Sequence, residues 1–300
     1  MFDHFVWSVL VVPPLLVLVV RLLADRLWPS TAAVAVAWSA VAAAGSSLVN
    51  LVLFALKAVA EIPAVGRLLG WSAQRVAADT AHVPWVSVGS AAMLAFVTVA
   101  MTRRWHRHRR TLRDARRDLP AGVQLVMVRN DAAQAFAIPG NPGHVVVTTG
   151  MRGALTNDQF DALLAHERAH LTQGHHRLVW VAELAAAAHP ALWWVSRHVS
   201  YLVERAADEQ AAEEVGSRSL VAHAIGVAAL ADRGQAVFGL HAAAGGVVPR
   251  RVAGLLRPRS VFRLGVASLL PVVVALSSVV WTGEAAYDLV ELLYRSRVRT

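Results

Sequence analysis

The 300-residue chain contains no cysteine. This absence excludes disulfides, thiolate metal ligands and a cysteine nucleophile, so any metal site must use His, Asp, Glu or water. Charged side chains are also scarce, since they form 16% of the chain whereas a soluble domain has about a quarter. Together with a hydrophobic fraction of 56% and a mean hydropathy of +0.47, this scarcity indicates an integral membrane protein.

Four apolar stretches are long enough to cross a bilayer, at about residues 5–23, 31–56, 84–101 and 261–281. The first contains Pro13-Pro14, which would kink the helix, and membrane helices tolerate such a kink. A cleaved signal peptide is the alternative for this stretch, but a basic n-region and a small-residue cleavage site are missing. We therefore predict a mainly α-helical membrane protein with three spans in residues 1–101, a domain in 102–260, a fourth span and a short tail at 282–300.

Basic residues are concentrated directly after the third stretch, where arginine recurs from Arg103 to Arg117. The positive-inside rule predicts that this segment is cytoplasmic, with the N-terminus outside the plasma membrane and the domain in 102–260 inside. The arginines from Arg295 to Arg299 would then lie outside, against the rule. A basic run can also bind nucleic acid, but next to a membrane span an anionic-lipid contact is favoured, and no direct nucleic-acid binding is expected.

Between Gly122 and Gly150 the sequence pattern changes to short apolar runs separated by turn residues. These runs predict three strands, at 123–128, 135–138 and 144–149, with a Pro- and Gly-rich turn between the last two. The domain between the third and fourth spans is therefore expected to be α+β.

A helix is predicted directly after the strands, because Thr156 and Gln159 have the spacing of a capping box and apolar residues recur at helical spacing. This helix contains His166-Glu167-x-x-His170. Positions i and i+4 share one helix face, so both imidazoles can bind one Zn²⁺ ion while Glu167 takes a proton from its water. The alternative is a chance match in a histidine-rich region, because the motif specifies only three positions.

A catalytic zinc ion needs a third protein ligand and an open position for water. Glu204 is the best downstream candidate, because the intervening chain has room for a loop and a returning helix. Asp208 lies one helical turn later and can accept the free N–H of a bound imidazole. The alternative is that Glu204, Asp208 and Glu209 form a solvated acidic face of the helix.

Two further sets of residues are candidates for contacts with a substrate. An exposed edge strand beside a zinc-binding helix can hold an extended peptide, so the predicted substrate strand is Val145, Val146, Val147 and Thr148. His223, on a later predicted helix, can donate to a tetrahedral oxyanion. His175 and His176 have no assigned role and are expected to be surface or packing residues.

These motifs together resemble those of the membrane-bound gluzincin metalloproteases. The resemblance is carried by Ala135-Phe136-Ala137, Val145 to Gly150, Leu155 to Gln159, Leu164 to His170, His189-Pro190-Ala191-Leu192-Trp193-Trp194 and Glu204-x-x-Ala207-Asp208-Glu209. The last two segments, and the order of three spans before the domain and one after it, are closer to the antirepressor proteases of the β-lactam sensor-transducers than to the related HtpX-like proteases. The resemblance implies a zincin-like protease domain with zinc bound by His166, His170 and Glu204. It also implies that Glu167 is the catalytic base and that Asp208 supports a histidine.

By this resemblance the chain is expected to be a membrane-embedded zinc endopeptidase that cuts a protein or peptide substrate on the cytoplasmic side. The implied substrate is a winged-helix transcriptional repressor, whose cleavage would be regulatory. The alternatives are an HtpX-like quality-control protease and a non-catalytic membrane scaffold. The chain ends soon after the fourth span and has no S-x-x-K motif outside the membrane, so we expect no C-terminal penicillin-binding sensor domain. The sequence does not indicate an oligomeric state.

Overall fold

The computed structural model describes residues 2–117, 119–120, 122–141, 143–233, 247–257 and 269–297. The helices are α1 (Phe2–Phe5), α2 (Val12–Leu23), α3 (Pro29–Ala60), α4 (Pro63–Leu69), α5 (Ala73–Ala78), α6 (Trp85–Arg116), α7 (Thr149–Ala154), α8 (Asn157–Thr172), α9 (His175–Ala188), α10 (Trp193–Glu214), α11 (Arg218–Arg233), α12 (Val247–Leu256) and α13 (Leu270–Arg295). The strands are β1 (Leu125–Val128), β2 (Ala135–Ile138) and β3 (His144–Thr148). A π-helical segment, Val6–Val11, joins α1 to α2, and a 3-10 turn at Pro190–Leu192 precedes α10.

Four long apolar helices can span a membrane by their length and composition. They are Phe2–Arg26, Pro29–Ala60, Trp85–Arg116 and Leu270–Arg295. The first two contain the stretches predicted from the sequence, and the third contains all but the first residue of its predicted stretch. The fourth differs from the prediction of 261–281, because residues 261–268 lie outside the described residues and the helix continues through most of the predicted tail. The apolar run is followed by the acidic residues Glu284 and Asp288, but helix α13 continues past them. Asp288 lies 3.1 Å from His4 in α1.

Helix α3 is central to the bundle and packs against α6, α9, α10 and α13. Small residues such as Ala33, Ala37 and Ala40 are buried along it, and they allow neighbouring helices to approach closely. Polar side chains also link the helices inside the bundle, since Asn50 Nδ2 donates to Thr282 Oγ1 at 2.9 Å. The apolar helices therefore pack as one bundle on which the rest of the chain is mounted.

The strands form one three-stranded sheet in the order β1-β3-β2. β3 pairs in parallel with β1 and antiparallel with β2, so that Val146 lies opposite both Val126 and Phe136. The prediction that Val145 to Thr148 hold the substrate is therefore wrong, because the backbone of β3 is already paired on both sides. β2 is the edge strand that packs against α8, and it replaces β3 as the candidate peptide-binding strand.

Helix α10 connects the membrane bundle to the domain that carries the histidine motif. Its N-terminal half shares the apolar core of the bundle, through Val195, Val199 and Leu202. Its C-terminal half contributes Ala211 and Ala212 to a separate core formed with α8, α11 and α12. The part of α10 that contains Glu204 lies between these two cores, and this position brings it beside α8.

Candidate metal centre

Helix α8 begins with the predicted capping box. The Thr156 hydroxyl accepts a hydrogen bond from the Gln159 backbone N–H, and the Gln159 side chain accepts one from the Thr156 N–H. Ala162, Ala165 and Ala169 are buried, so α8 packs inward through a face of small residues. The histidine motif lies beside this face, where the side chains can reach α10.

Three of the predicted site residues converge on one point. The Nε2 atoms of His166 and His170 are 3.1 Å apart, and the Glu204 carboxylate oxygens lie 3.6 Å and 3.5 Å from them. Zinc ligands at about 2.0–2.1 Å in a tetrahedron lie about 3.4 Å from one another, so these donors have the spacing that a zinc ion requires. Among the described residues, this is the group of His and acidic side chains that can hold a metal ion. Two imidazoles and one carboxylate also match the donor types that zinc prefers.

Glu167 is buried and lines the same cavity as His166 and Glu204. Burial raises the pKa of its carboxyl above the ordinary value, because a carboxylate loses hydration in an apolar environment. A carboxyl group with a raised pKa can accept a proton from water and return it at a pH near neutral. The structure therefore places Glu167 where a general base would be needed.

The predicted partner of the first histidine is also in place. Asp208 Oδ1 lies 3.0 Å from Nδ1 of His166, on the opposite side of the ring from Nε2. This contact orients the imidazole so that Nε2 faces Glu204. Asp208 is almost fully buried, which argues against the alternative that it belongs to a solvated acidic face.

Arg251, on α12, is a site residue that the sequence analysis missed. Its guanidinium donates twice to Asp208, at 2.8 Å and 2.6 Å, and lies 2.9 Å from Glu204 Oε2. A bidentate arginine neutralises and orients a buried carboxylate. No spacing rule relates Arg251 to the histidine motif, so only the packing of α12 against α10 reveals it.

These contacts determine the charge of each side chain in the metal-free protein. Burial would lower the pKa of His166, but its bonds to Asp208 and Glu204 outweigh burial and raise the pKa to about 10. Burial would likewise raise the pKa of Glu204, but His166 and Arg251 hold it well below its usual range. Burial lowers the pKa of His170 to about 4, so this imidazole is neutral at pH 7.

His175 is buried, which agrees with a packing role, but its contact with a metal-site histidine was not anticipated. Its Nδ1 lies 3.2 Å from Nδ1 of His170, and its Nε2 lies 3.0 Å from Gln173 Oε1. Gln173 donates in turn to Gln210 on α10. When Nε2 of His170 faces the metal centre, its Nδ1–H donates to Nδ1 of His175, and Nε2–H of His175 donates to Gln173. Each donor in this series of hydrogen bonds therefore has an acceptor. Burial lowers the pKa of His175 to about 4, and a neutral ring suits this arrangement.

A cavity of about 680 Å³ opens beside these residues. One wall is Gln134, Ala135 and Phe136, at the start of the edge strand β2. Helix α11 contributes the mainly apolar residues Val221, Ala224, Ile225 and Ala228, together with Asp232. His223 lies on the same helix but is exposed and is not part of the described lining, so its role at an oxyanion stays a prediction. Ala224, the next residue along α11, lines the cavity.

The sequence model of Peptidase family M48 matches residues 101–239. No curated protein and no solved structure matches the chain significantly. The matched segment contains the histidine motif, Glu204 and Asp208, whereas Arg251 lies beyond it. The match supports a zinc metallopeptidase of family M48, and metallopeptidases of this family are typically zinc-dependent.

Proposed function

We propose, from this match and the geometry of the site, that the chain is a membrane-embedded zinc endopeptidase that performs a regulatory cleavage. The observation that carries the proposal is the convergence of His166, His170 and Glu204, with Glu167 in the same cavity. The proposed substrate is a winged-helix transcriptional repressor. This choice follows the resemblance of residues 189–194 and 204–209 to the antirepressor proteases.

The proposed site faces the cytoplasm across a plasma membrane, with the N-terminus outside. Arg116, near the end of the arginine-rich part of α6, donates through Nε to the carbonyl of Pro139 at 2.8 Å. This bond ties the basic end of α6 to the sheet beside the metal centre. By the positive-inside rule, the basic end of a span lies in the cytoplasm, and the sheet and the metal centre lie with it.

In the proposed reaction, bound zinc supplies a Lewis acid that polarises the scissile carbonyl and acidifies water. Glu167 accepts the proton of the attacking water at a carboxylate oxygen and passes it to the nitrogen of the leaving amine. Asp208 and His175 hold the two liganding imidazoles in the tautomer that presents Nε2. Arg251 holds Asp208 and Glu204 in place.

The proposed substrate binds as an extended strand along β2. The other edge of β2 is occupied by β3, while Gln134, Ala135 and Phe136 line the cavity. Backbone groups of such an edge can pair with a peptide whatever its sequence. Selectivity then comes from side chains that enter the cavity, whose α11 lining is apolar except for Asp232.

The test compares cells that carry the wild-type chain, a Glu167→Gln variant and a Glu214→Gln variant. Glu214 is exposed at the end of α10, so its substitution is a matched control for the loss of one carboxylate. New protein N-termini are identified by mass spectrometry, and zinc is measured in each purified protein. We expect all three proteins to contain zinc, and a cleaved repressor to be present with the wild type and the control and absent with Glu167→Gln.

The other results have distinct meanings. Many cleaved membrane proteins in place of one repressor would replace the regulatory proposal with quality control. Identical N-termini in all three cell types, together with no hydrolysis of a peptide library by the purified wild type, would refute the endopeptidase. A Glu204→Ala protein with a normal zinc content would remove Glu204 from the set of ligands.

A further inference from the structure

We infer that residues 184–195 form a re-entrant hairpin that lies within one leaflet of the bilayer. This segment consists of the end of α9, the 3-10 turn and the start of α10. We call this segment the α9–α10 hairpin. The inference requires that the four long helices cross a membrane, and it is independent of the proposed peptidase activity. It assigns a lipid-contact surface to the domain that carries the metal centre.

The composition of the hairpin is that of a membrane segment. Leu184 to Val195 reads LAAAAHPALWWV and contains no Asp, Glu, Lys or Arg. The stretch is too short to cross a bilayer, which requires about 20 residues. A segment of this length and composition can enter the bilayer only if it turns back, and the 3-10 turn at Pro190–Leu192 reverses the chain.

The hairpin packs at the depth of the membrane spans. Ala185, Ala188 and Leu192 belong to the same buried core as residues of α2 and α3. Leu184 and Ala188 also line a small apolar groove with Ala44 and Gly45, which lie halfway along α3. A contact at the middle of a spanning helix places the hairpin within the hydrocarbon region.

The turn of the hairpin completes the hydrogen bonding of the first span. His189 Nε2 lies 2.9 Å from the carbonyl oxygen of Val9. In an α-helical or π-helical register this carbonyl would accept from residue 13 or 14, and both are prolines, which have no N–H. An unpaired carbonyl in lipid costs several kcal/mol, and the imidazole removes that cost. This hydrogen bond stabilises His189 at the depth of Val9, inside the bilayer.

The two ends of the hairpin have the side chains expected at a membrane surface. At the entry, Glu183 pairs with Arg104 at 2.8 Å. At the exit, Trp194 is 52% exposed and the guanidinium of Arg21 lies 4.4 Å from the centre of its ring. Tryptophan and arginine favour the boundary between hydrocarbon and water. Leu18, one helical turn before Arg21 on α2, is also 52% exposed.

This placement limits where the metal centre can act. Trp194 and Glu204 lie on the same helix, about 15 Å apart along its axis at 1.5 Å per residue. The metal centre is then held at most about that far from the membrane surface. Peptide segments close to the bilayer are the substrates that such a site reaches, whether they belong to membrane proteins or to soluble proteins recruited to the surface.

The absence of cysteine makes the insertion directly testable, because a single introduced cysteine is the only site for a thiol label. We would substitute Ala187→Cys and Ala191→Cys in the hairpin, Leu18→Cys on the exposed surface of α2, and Glu214→Cys in the metal-binding domain. Each full-length protein is labelled with an environment-sensitive maleimide dye and reconstituted into phosphatidylcholine vesicles. Quenching by nitroxide-labelled lipid and by aqueous iodide is then measured for each position.

We expect Ala187→Cys and Ala191→Cys to behave like Leu18→Cys, with strong quenching by nitroxide lipid, weak quenching by iodide and blue-shifted emission. Glu214→Cys should show the opposite pattern. Iodide quenching at both hairpin positions equal to that at Glu214→Cys would overturn the inference. Loss of peptidase activity with an inserted hairpin, or its retention with an exposed one, would separate this inference from the proposed function.

Discussion

The charge of His166 in the metal-free protein determines how many protons are released when zinc binds, and this number can be measured. Its contacts with Asp208 and Glu204 raise its pKa to about 10, so it is almost fully protonated at pH 8. A metal ligand must be neutral, so zinc binding has to displace this proton. His170, whose pKa is about 4, has no proton to lose at that pH. At pH 8 a histidine with an ordinary pKa would also have none.

The cost of this displacement can be worked out from the pKa. Two pKa units between pH 8 and a pKa of about 10 correspond to about 2.7 kcal/mol, or about 100-fold in apparent zinc affinity. Water bound to zinc has a pKa near 7 and loses up to about one further proton at pH 8. We therefore expect about two protons to be released for each zinc ion bound, of which one comes from His166.

The assay is isothermal titration calorimetry in buffers of different ionisation enthalpy. A Glu167→Gln background prevents the titration of that carboxyl from contributing. Adding Asp208→Asn should lower the pKa of His166 and reduce the number of protons released per zinc ion. Glu214→Gln, at an exposed position on the same helix as Asp208, should leave that number unchanged. If the protein with Asp208 intact released one proton or fewer per zinc ion, His166 would be neutral in the metal-free protein. The reasoning from its two carboxylate contacts would then be refuted.

Three further predictions concern neighbouring side chains. Arg251→Met leaves the buried Asp208 and the half-buried Glu204 without their arginine partner, so it should lower the free energy of unfolding by about 3–5 kcal/mol in denaturant titrations. Arg250→Met, at an exposed position, should not. His175→Leu should weaken zinc binding about 10–100-fold in chelator competition. His175→Asn should retain most of the affinity, because its amide oxygen can accept a hydrogen bond from His170. His176→Leu, the control, should have no effect. Because burial raises the pKa of Glu167 and the base must be ionised, kcat/KM should fall with decreasing pH around a midpoint above 4.5, and a midpoint at or below that value would contradict the assignment.

Local patterns in the sequence determined the elements of this protein. Spacing of four residues put both histidines on one helix face, and Thr156 with Gln159 predicted where that helix begins. Runs of apolar residues predicted the first three long helices and the three strands to within a few residues, except that the third helix continues to Arg116, well past the predicted end at residue 101. These features depend on neighbours in the chain, and the periods of helices and strands are visible in any short window.

The tertiary structure decided which elements meet. The order β1-β3-β2 placed the predicted substrate strand in the middle of the sheet, and strand periodicity contains no information about that order. Arg251 and His175 reached the metal centre through packing between helices, and His189 met a carbonyl whose helical donors would be prolines. Such contacts join residues that are far apart in the chain or that lie across a turn. Their physical cause is the pairing of buried polar groups, which becomes specific only when the helices are assembled.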